Sequence, residues 1–394
     1  MGSITNYIRS GEKHRQTHYV GMEIEHFIIH KETGLPMPYA DIERLFHQIE
    51  SNYPQKSYEK GHIVALGNED TLITLEPGCQ LEFSFHYTDQ IEAIEKMYQR
   101  AMKPIEAFVQ ANGYSIVYSG GIPTVSVDAY PRIDKDRYQY MEAYFAHSGT
   151  RGKEMMKGTA SIHASIDFAD ELDFIRKYRM ANILHPLFAL ISFNTPYYAG
   201  KPNTDILLRD SIWQHTDPQR CHIIEDLFSP TFGYASYENY VLDDPLILMH
   251  TQDQFIPTGN QTCKEVAQTY GFGTPEIEHY LSMVFPDIRV KKCMEIRSAD
   301  SMPLPNLLAY AAFIKGIFYD ETIIRDVNQW AHSIDEIQDA KRAIQKDGWQ
   351  AYVYGRPVQA LVHALKESAK GNLSIQEQGY LEALGSQNVN RPAI

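Results

Sequence analysis

The sequence predicts an α+β protein, on two observations. Four short stretches far apart in the chain alternate apolar and charged residues with the two-residue period of a strand, and long stretches between and after them repeat apolar residues at helical spacing. In "GMEIEHFI", Glu23 and Glu25 point one way while Met22 and Ile24 point the other. In "QLEFSF", Gln80, Glu82 and Ser84 oppose Leu81, Phe83 and Phe85. "TASIHASID" sets Thr159, Ser161, His163, Ser165 and Asp167 against Ala160, Ile162, Ala164 and Ile166. "MEIRS" sets Glu295 and Arg297 against Met294 and Ile296.

Helical spacing is clearest from Thr88 to Asn112, where Ile91, Ile94, Tyr98, Met102, Ile105 and Phe108 share a face and Asn112-Gly113 supplies a stop. Asp170 to Phe193 reads as a capped, mostly apolar helix that Pro186 should kink or end. Leu307 to Tyr319 is nearly all apolar, hence a buried helix. From Ile334 to about Leu384 the chain reads as helical and amphipathic, with Lys and Glu on its wet face.

Composition narrows the partners. With 394 residues the chain can bury a large core, and a net charge of −14 leaves no basic surface to neutralise nucleic acid or an anionic membrane. A few local arginines still suffice for an anionic substrate. The four cysteines (Cys79, Cys221, Cys263, Cys293) form no CxxC pair, which points to a reducing compartment. The polar N-terminus is no secretory signal, and Asn6 stands where a myristoylation signal needs Ser or Thr. The longest apolar runs are interrupted by His185-Pro186 and by Lys315, so neither suits a bilayer. A cytoplasmic protein is expected.

The charged strand faces carry the functional signal. A solvent-facing sheet mixes Lys, Thr, Arg and Gln, whereas these faces are heavy in Glu, with one His, one Arg and no Lys. Like charges on adjacent strands repel, so glutamates gathered in one sheet need cations. For any one carboxylate an ordinary surface role is the better reading; for the set of four strands a site is. Several Glu oxygens with one imidazole suit magnesium or manganese rather than structural zinc, and magnesium usually brings phosphates. No GxxxxGK[ST], GxGxxG or HExxH is present. In "LLRDSIWQHTDPQR", Arg209, Trp213 and Arg220 offer cations for an anionic substrate, although a surface loop with ion pairs reads equally well. Cys79 has no base near it in sequence and reads as a packing residue.

"GMEIEHF", "LEPGCQLEFS", "TASIHASIDF", "FNTPYYAGKPN", "LLRDSIWQHTDPQR" and "MEIRSAD" resemble, in this order, the landmarks of glutamate–cysteine ligases of the plant and proteobacterial type. The similarity runs from about Ile4 through Asp320. It implies a glutamine-synthetase-like fold: a curved antiparallel sheet with helices packed on its convex face and metals, ATP and glutamate on its concave face. It also implies two or three Mg2+ (or Mn2+) ions, one on Glu25, Glu76 and Glu82 and another on Glu23, His163 and Glu295, with Gln80 supporting them. Arg297 would face the transferring phosphoryl group, and Arg209, Arg220, Trp213 and Thr159 the substrates. The implied reaction is ATP-dependent: glutamate becomes γ-glutamyl phosphate, and the amine of cysteine, or of another amino acceptor in a specialised pathway, displaces phosphate. A catalytically silent nucleotide-binding relative is the remaining alternative. Residues 1–330 would form the catalytic domain and 331–394 a helical segment packed on it, in a monomer or homodimer. The chain departs from plant members at Gly158-Thr159-Ala160, where they read Arg-Thr-Cys, and at Asp300–Leu304, where Gly-Gly-Pro-Trp is common.

Overall fold

The computed structural model describes residues 3–251 and 254–386. Its centre is a nine-stranded antiparallel sheet, whose strands are numbered here in chain order: β1 Val20–His30, β2 Gln55–Glu59, β3 His62–Gly67, β4 Thr71–Leu75, β5 Leu81–Thr88, β6 Tyr114–Val117, β7 Ser161–Ile166, β8 Ile288–Val290 and β9 Met294–Asp300. They lie in the order β8-β9-β7-β1-β5-β4-β3-β2, with β6 paired to the far half of β1. All four alternating stretches therefore become neighbouring strands, and the α+β expectation holds.

The alternation dictates which face is covered. Met22, Ile24, Leu81, Phe83, Ile162, Ala164, Met294 and Ile296 are buried on one face. Helices Ile91–Ala111, Glu171–Ser192 and Leu304–Phe318 pack against the sheet. Burying each such aliphatic or aromatic side chain stabilises by about 1.5–3 kcal/mol. Asp170 caps the second helix by accepting from the Asp173 amide at 2.9 Å. That helix does not end at Pro186. The proline leaves the Asn182 carbonyl without its helical donor, but every residue from Met180 to Ser192 is buried, and packing holds the helix together.

"LEPGCQLEFS" is a turn followed by a strand. Glu76 to Gln80 link β4 to β5, with the Glu76 N–H donating to Gln80 O at 3.0 Å and the Cys79 N–H to Glu76 O at 2.9 Å. Cys79 takes the left-handed conformation (φ +67°) and is buried, a packing residue whose thiol burial pushes up to about 12. Gln80 stands just before the strand begins at Leu81. Its amide accepts from the Gly78 N–H at 2.9 Å and donates to Thr159 O at 2.8 Å, tying the turn to the start of β7.

The C-terminal part folds as helices Ile334–Asp347, Val358–Ala369 and Ile375–Tyr380, separated by a small ribbon. The first packs on helix Glu171–Ser192 and the other two on helix Leu304–Phe318. Lys315, the charge inside the apolar run, is buried there. Its Nζ donates to Glu377 Oε1 at 2.6 Å and to Asp89 O at 2.5 Å. Among the described residues no helix is long and apolar enough to cross a membrane.

Candidate active site

Pairing register assembles the acidic face. Glu23 on β1 stands beside His163 on β7, Glu25 on β1 beside Glu82 on β5, and Glu295 on β9 beside Ser165 on β7. Thr74 on β4 lies opposite Glu82 and donates its hydroxyl to that carboxylate. Glu76 joins from the turn. Glu23, Glu25, Glu76 and Glu82 form one wall of a cavity of about 230 Å³, and Glu295 is buried beside it. The apolar part of the wall is Tyr138 and Met141, Met155 and Met156, Trp213 and Phe285.

Ligand atoms of Glu23, His163 and Glu295 lie within 4.8 Å of one another. Burial and the Arg297 charge lower His163 to about 4, so its imidazole is neutral at pH 7 and has a lone pair to give. Nδ1 now sits 3.2 Å from Glu23 and 3.3 Å from Glu295, and Nε2 is 2.8 Å from the Ser161 hydroxyl. That hydroxyl can accept from Nε2–H when Nδ1 is given to a cation, which is the support a metal-binding histidine needs. The donor set therefore fits a hard divalent ion.

Glu25, Glu76 and Glu82 line the same cavity but do not converge as tightly; among the described residues, only His185, Asp210 and Asp287 match the closeness of the first trio. Their charges still act on one another. Burial, then Glu76, raises Glu25 to about 7, and burial with the neighbouring glutamates holds Glu82 well above the carboxylate range. Burial raises Glu76 as well. Glu25 also accepts from the Ser161 N–H at 2.7 Å.

The first trio is different because arginines share it. Although burial alone would raise Glu295, Arg289 and Arg297 drive it well below the usual range. Arg297 Nη1 donates to Glu295 Oε1 at 2.5 Å, and its guanidinium lies over Trp213, 5.6 Å from the ring centroid. Arg289 grips the same carboxylate with two bonds of 3.0 Å. The cations that gathered glutamates need thus come in part from within, since this chain supplies two arginines of its own.

Arg289 escaped the sequence reading; the signal was its place opposite Glu295 in the β8–β9 hairpin. Arg137 and Lys291 also line the cavity. Arg209 lines it too. Its Nη1 donates to the carbonyls of Arg297 (3.3 Å) and Ala299 (2.9 Å), while its Nε is buried without a partner. Trp213 and Thr159 also line the cavity. Arg220 is the correction. Asp217, three residues earlier, holds its Nε at 2.6 Å, and the remaining donors go to Met283 O (2.7 Å) and the Tyr144 hydroxyl (2.9 Å). Fully buried in that cage, it does not line the cavity and has nothing to offer a ligand.

A second cavity of about 370 Å³ adjoins the first and shares Glu23 with it. Tyr19, Leu72, His86 and Tyr87 give it flat and apolar surfaces, and Asn68 and Ser165 polar ones.

Comparison with known proteins places these features in a family. The model of glutamate–cysteine ligase family 2 matches residues 19–387. The chloroplastic glutamate–cysteine ligase of Brassica juncea is 29% identical over 333 residues, covering 82% of this chain and 64% of that protein. The chloroplastic glutamate–cysteine ligase B of Oryza sativa subsp. japonica is 27% identical over 389 residues, covering 95% of this chain and 77% of that one. The chain thus spans a little under two thirds of the Brassica juncea relative. Among solved structures, the glutamate–cysteine ligase of Francisella tularensis in complex with AMP superposes with a TM-score of 0.54 over 94% of this chain and 81% of that one, at 15% identity. That likeness is one of fold.

Proposed function

The chain belongs to glutamate–cysteine ligase family 2, and from that premise we propose that it is an ATP- and magnesium-dependent ligase joining the γ-carboxylate of glutamate to the amine of cysteine. The observation that carries this reading is the convergence of Glu23, His163 and Glu295 at an acidic sheet face with Arg297 beside it. Glu23, His163 and Glu295 would hold one ion, and Glu25, Glu76 and Glu82 another. Bound there, such ions supply neutralising charge for phosphoryl oxygens.

The chain's own residues would do the rest. The nucleotide base and ribose would lie in the second cavity, with the phosphates crossing at Glu23, the residue both cavities share. A γ-carboxylate oxygen of glutamate attacks the terminal phosphorus as the bond to the bridging oxygen breaks, giving ADP and γ-glutamyl phosphate. Arg297 places fixed positive charge where the transferring group gains negative charge. Arg209, which lines the cavity, would offer its guanidinium to a carboxylate or phosphate. The amine nitrogen then attacks the acyl carbon, a proton is lost, and phosphate leaves. Met141, Met155, Met156 and Phe285 keep water from the acyl phosphate.

That same apolar wall favours a second reading, an amine acceptor other than cysteine with an apolar side chain. Release of ADP by the purified protein with ATP, magnesium, glutamate and a panel of amines separates them. Turnover with cysteine no faster than with the other amines would reject cysteine as acceptor; no ADP with any amine would reject the ligase.

A further inference from the structure

Strand β9 is irregular where it matters most. Ile296 faces Ala164 on β7, whereas Ala299 faces Ile162, so three steps along β9 match two along β7. Such a bulge re-aims the side chains within it, and Arg297 is one of them. Its neighbour Ser298 is held from behind. The Ser298 hydroxyl lies 2.7 Å from Nδ1 of His185, on the buried helix Glu171–Ser192.

His185 in turn belongs to a buried charge cluster. Its Nε2 is 3.0 Å from Asp210 and 3.3 Å from Asp287, and the Lys341 ammonium is 2.5 Å and 3.0 Å from the same two carboxylates. His185, Asp210 and Asp287 converge as closely as the glutamate–histidine trio. Here the chain brings its own cation, from the C-terminal helix Ile334–Asp347. Both aspartates are also tied to the arginines. Asp210 follows Arg209 in sequence, and the Asp287 carbonyl accepts the Arg297 N–H at 3.0 Å. Arg209 completes the ring by donating to the carbonyls on either side of Ser298.

We propose that Lys341 is a positioning residue: through Asp210, Asp287 and His185 it locks the Arg297–Ser298 bulge and keeps Arg297 and Arg209 turned into the cavity. The inference rests on the ligase reading, because aiming Arg297 matters only if phosphoryl transfer happens there. A gap of about 20 Å³, lined by Arg209, Arg297, Asp210 and Asp287, separates the cluster from the cavity arginines. With Lys341 gone, two largely buried carboxylates would compete for those guanidinium groups and draw them away from the substrate side.

The test uses the full chain with Ser298→Ala, Lys341→Met and the double variant Asp287→Asn/Lys341→Met. Ser298→Ala removes one hydroxyl and no charge, so it should melt within about 2 °C of wild type. Its kcat for ADP release should fall about 10- to 100-fold while KM for ATP stays within about twofold, the pattern of an interaction made in the transition state. Lys341→Met should lose kcat similarly, and removing Asp287 with the lysine should restore about tenfold. A merely structural role would shift melting, with activity following the folded fraction. Wild-type kcat in Ser298→Ala, or a Lys341→Met defect that Asp287→Asn does not relieve, would overturn the inference alone. A wild-type protein that releases no ADP with glutamate and any amine, hydroxylamine included, would overturn the ligase reading and this inference with it.

Discussion

Replacing Glu25 by Gln should stabilise the metal-free protein at pH 8 and do little at pH 4. The glutamate stands beside Glu82, feels Glu76, and is raised from 4.5 to about 7 chiefly by burial. A raised carboxyl contributes stability that is fully present below its unfolded value near 4.5 and lost as pH rises through about 7. The loss amounts to about 3 kcal/mol by pH 8. Gln has no proton to lose, keeps an oxygen for the Ser161 N–H, and can donate its amide to the neighbouring carboxylates. With an unfolding entropy of about 2 cal/mol/K per residue, a chain this long melts about 3–4 °C higher at pH 8 for that gain. Differential scanning calorimetry in EDTA at both pH values measures the difference, and a magnesium titration of each protein completes it. The variant should be the more stable without magnesium and gain less from it. An unchanged or lower Tm at pH 8 in EDTA would refute the reasoning, because the acidic wall would then not be strained by its own charge.

Glu82→Gln and Glu295→Gln should each remove most turnover, measured as ADP release, but part company in stability. Glu82→Gln relieves repulsion, whereas Glu295→Gln strands Arg289 and Arg297 and should cost about 1–3 kcal/mol in urea unfolding at pH 7. The depressed Glu295 contributes stability that is present above pH 4.5 and lost as pH falls through its folded value; that difference should therefore vanish in strong acid, and two equally stable variants at pH 7 would contradict it. Magnesium should bind more tightly as pH rises through the value near 7 at which Glu25 ionises, with up to about tenfold loss per unit below it; calorimetric titration at pH 6 and 8 checks this. Arg289→Lys should not rescue function, since an ammonium cannot reproduce the two parallel bonds to Glu295; near-normal kcat would assign Arg289 a purely electrostatic role.

The alternation of Glu23–Glu25 and of Ser161–His163 was legible because a strand's two-residue period is written in the sequence itself. Register was not. That Glu25 meets Glu82 and Glu23 meets His163 depends on turns and pairings between distant segments. Arg289 stayed hidden because its strand, Ile288–Val290, is too short to show a period. Arg220 was misjudged because proximity to Arg209 in sequence says nothing of direction, and Asp217 turned it into the core. Lys341 misled in the opposite sense: in an amphipathic tail it reads as a wet-face residue, yet it is 5% exposed between two aspartates. Helical propensity likewise gave no warning that packing would carry a helix past Pro186.

The pairing of Lys315 with Glu377 bears on how such a chain can be made. Helix Leu304–Phe318 sits against the sheet with an ammonium in its last turn, and the matching carboxylate arrives 62 residues later. On the ribosome, that segment emerges with the Asp89 carbonyl available to its ammonium but no opposite charge yet made for it. Packing around this helix is therefore complete only after Glu377 has been made, whatever the earlier strands have already done.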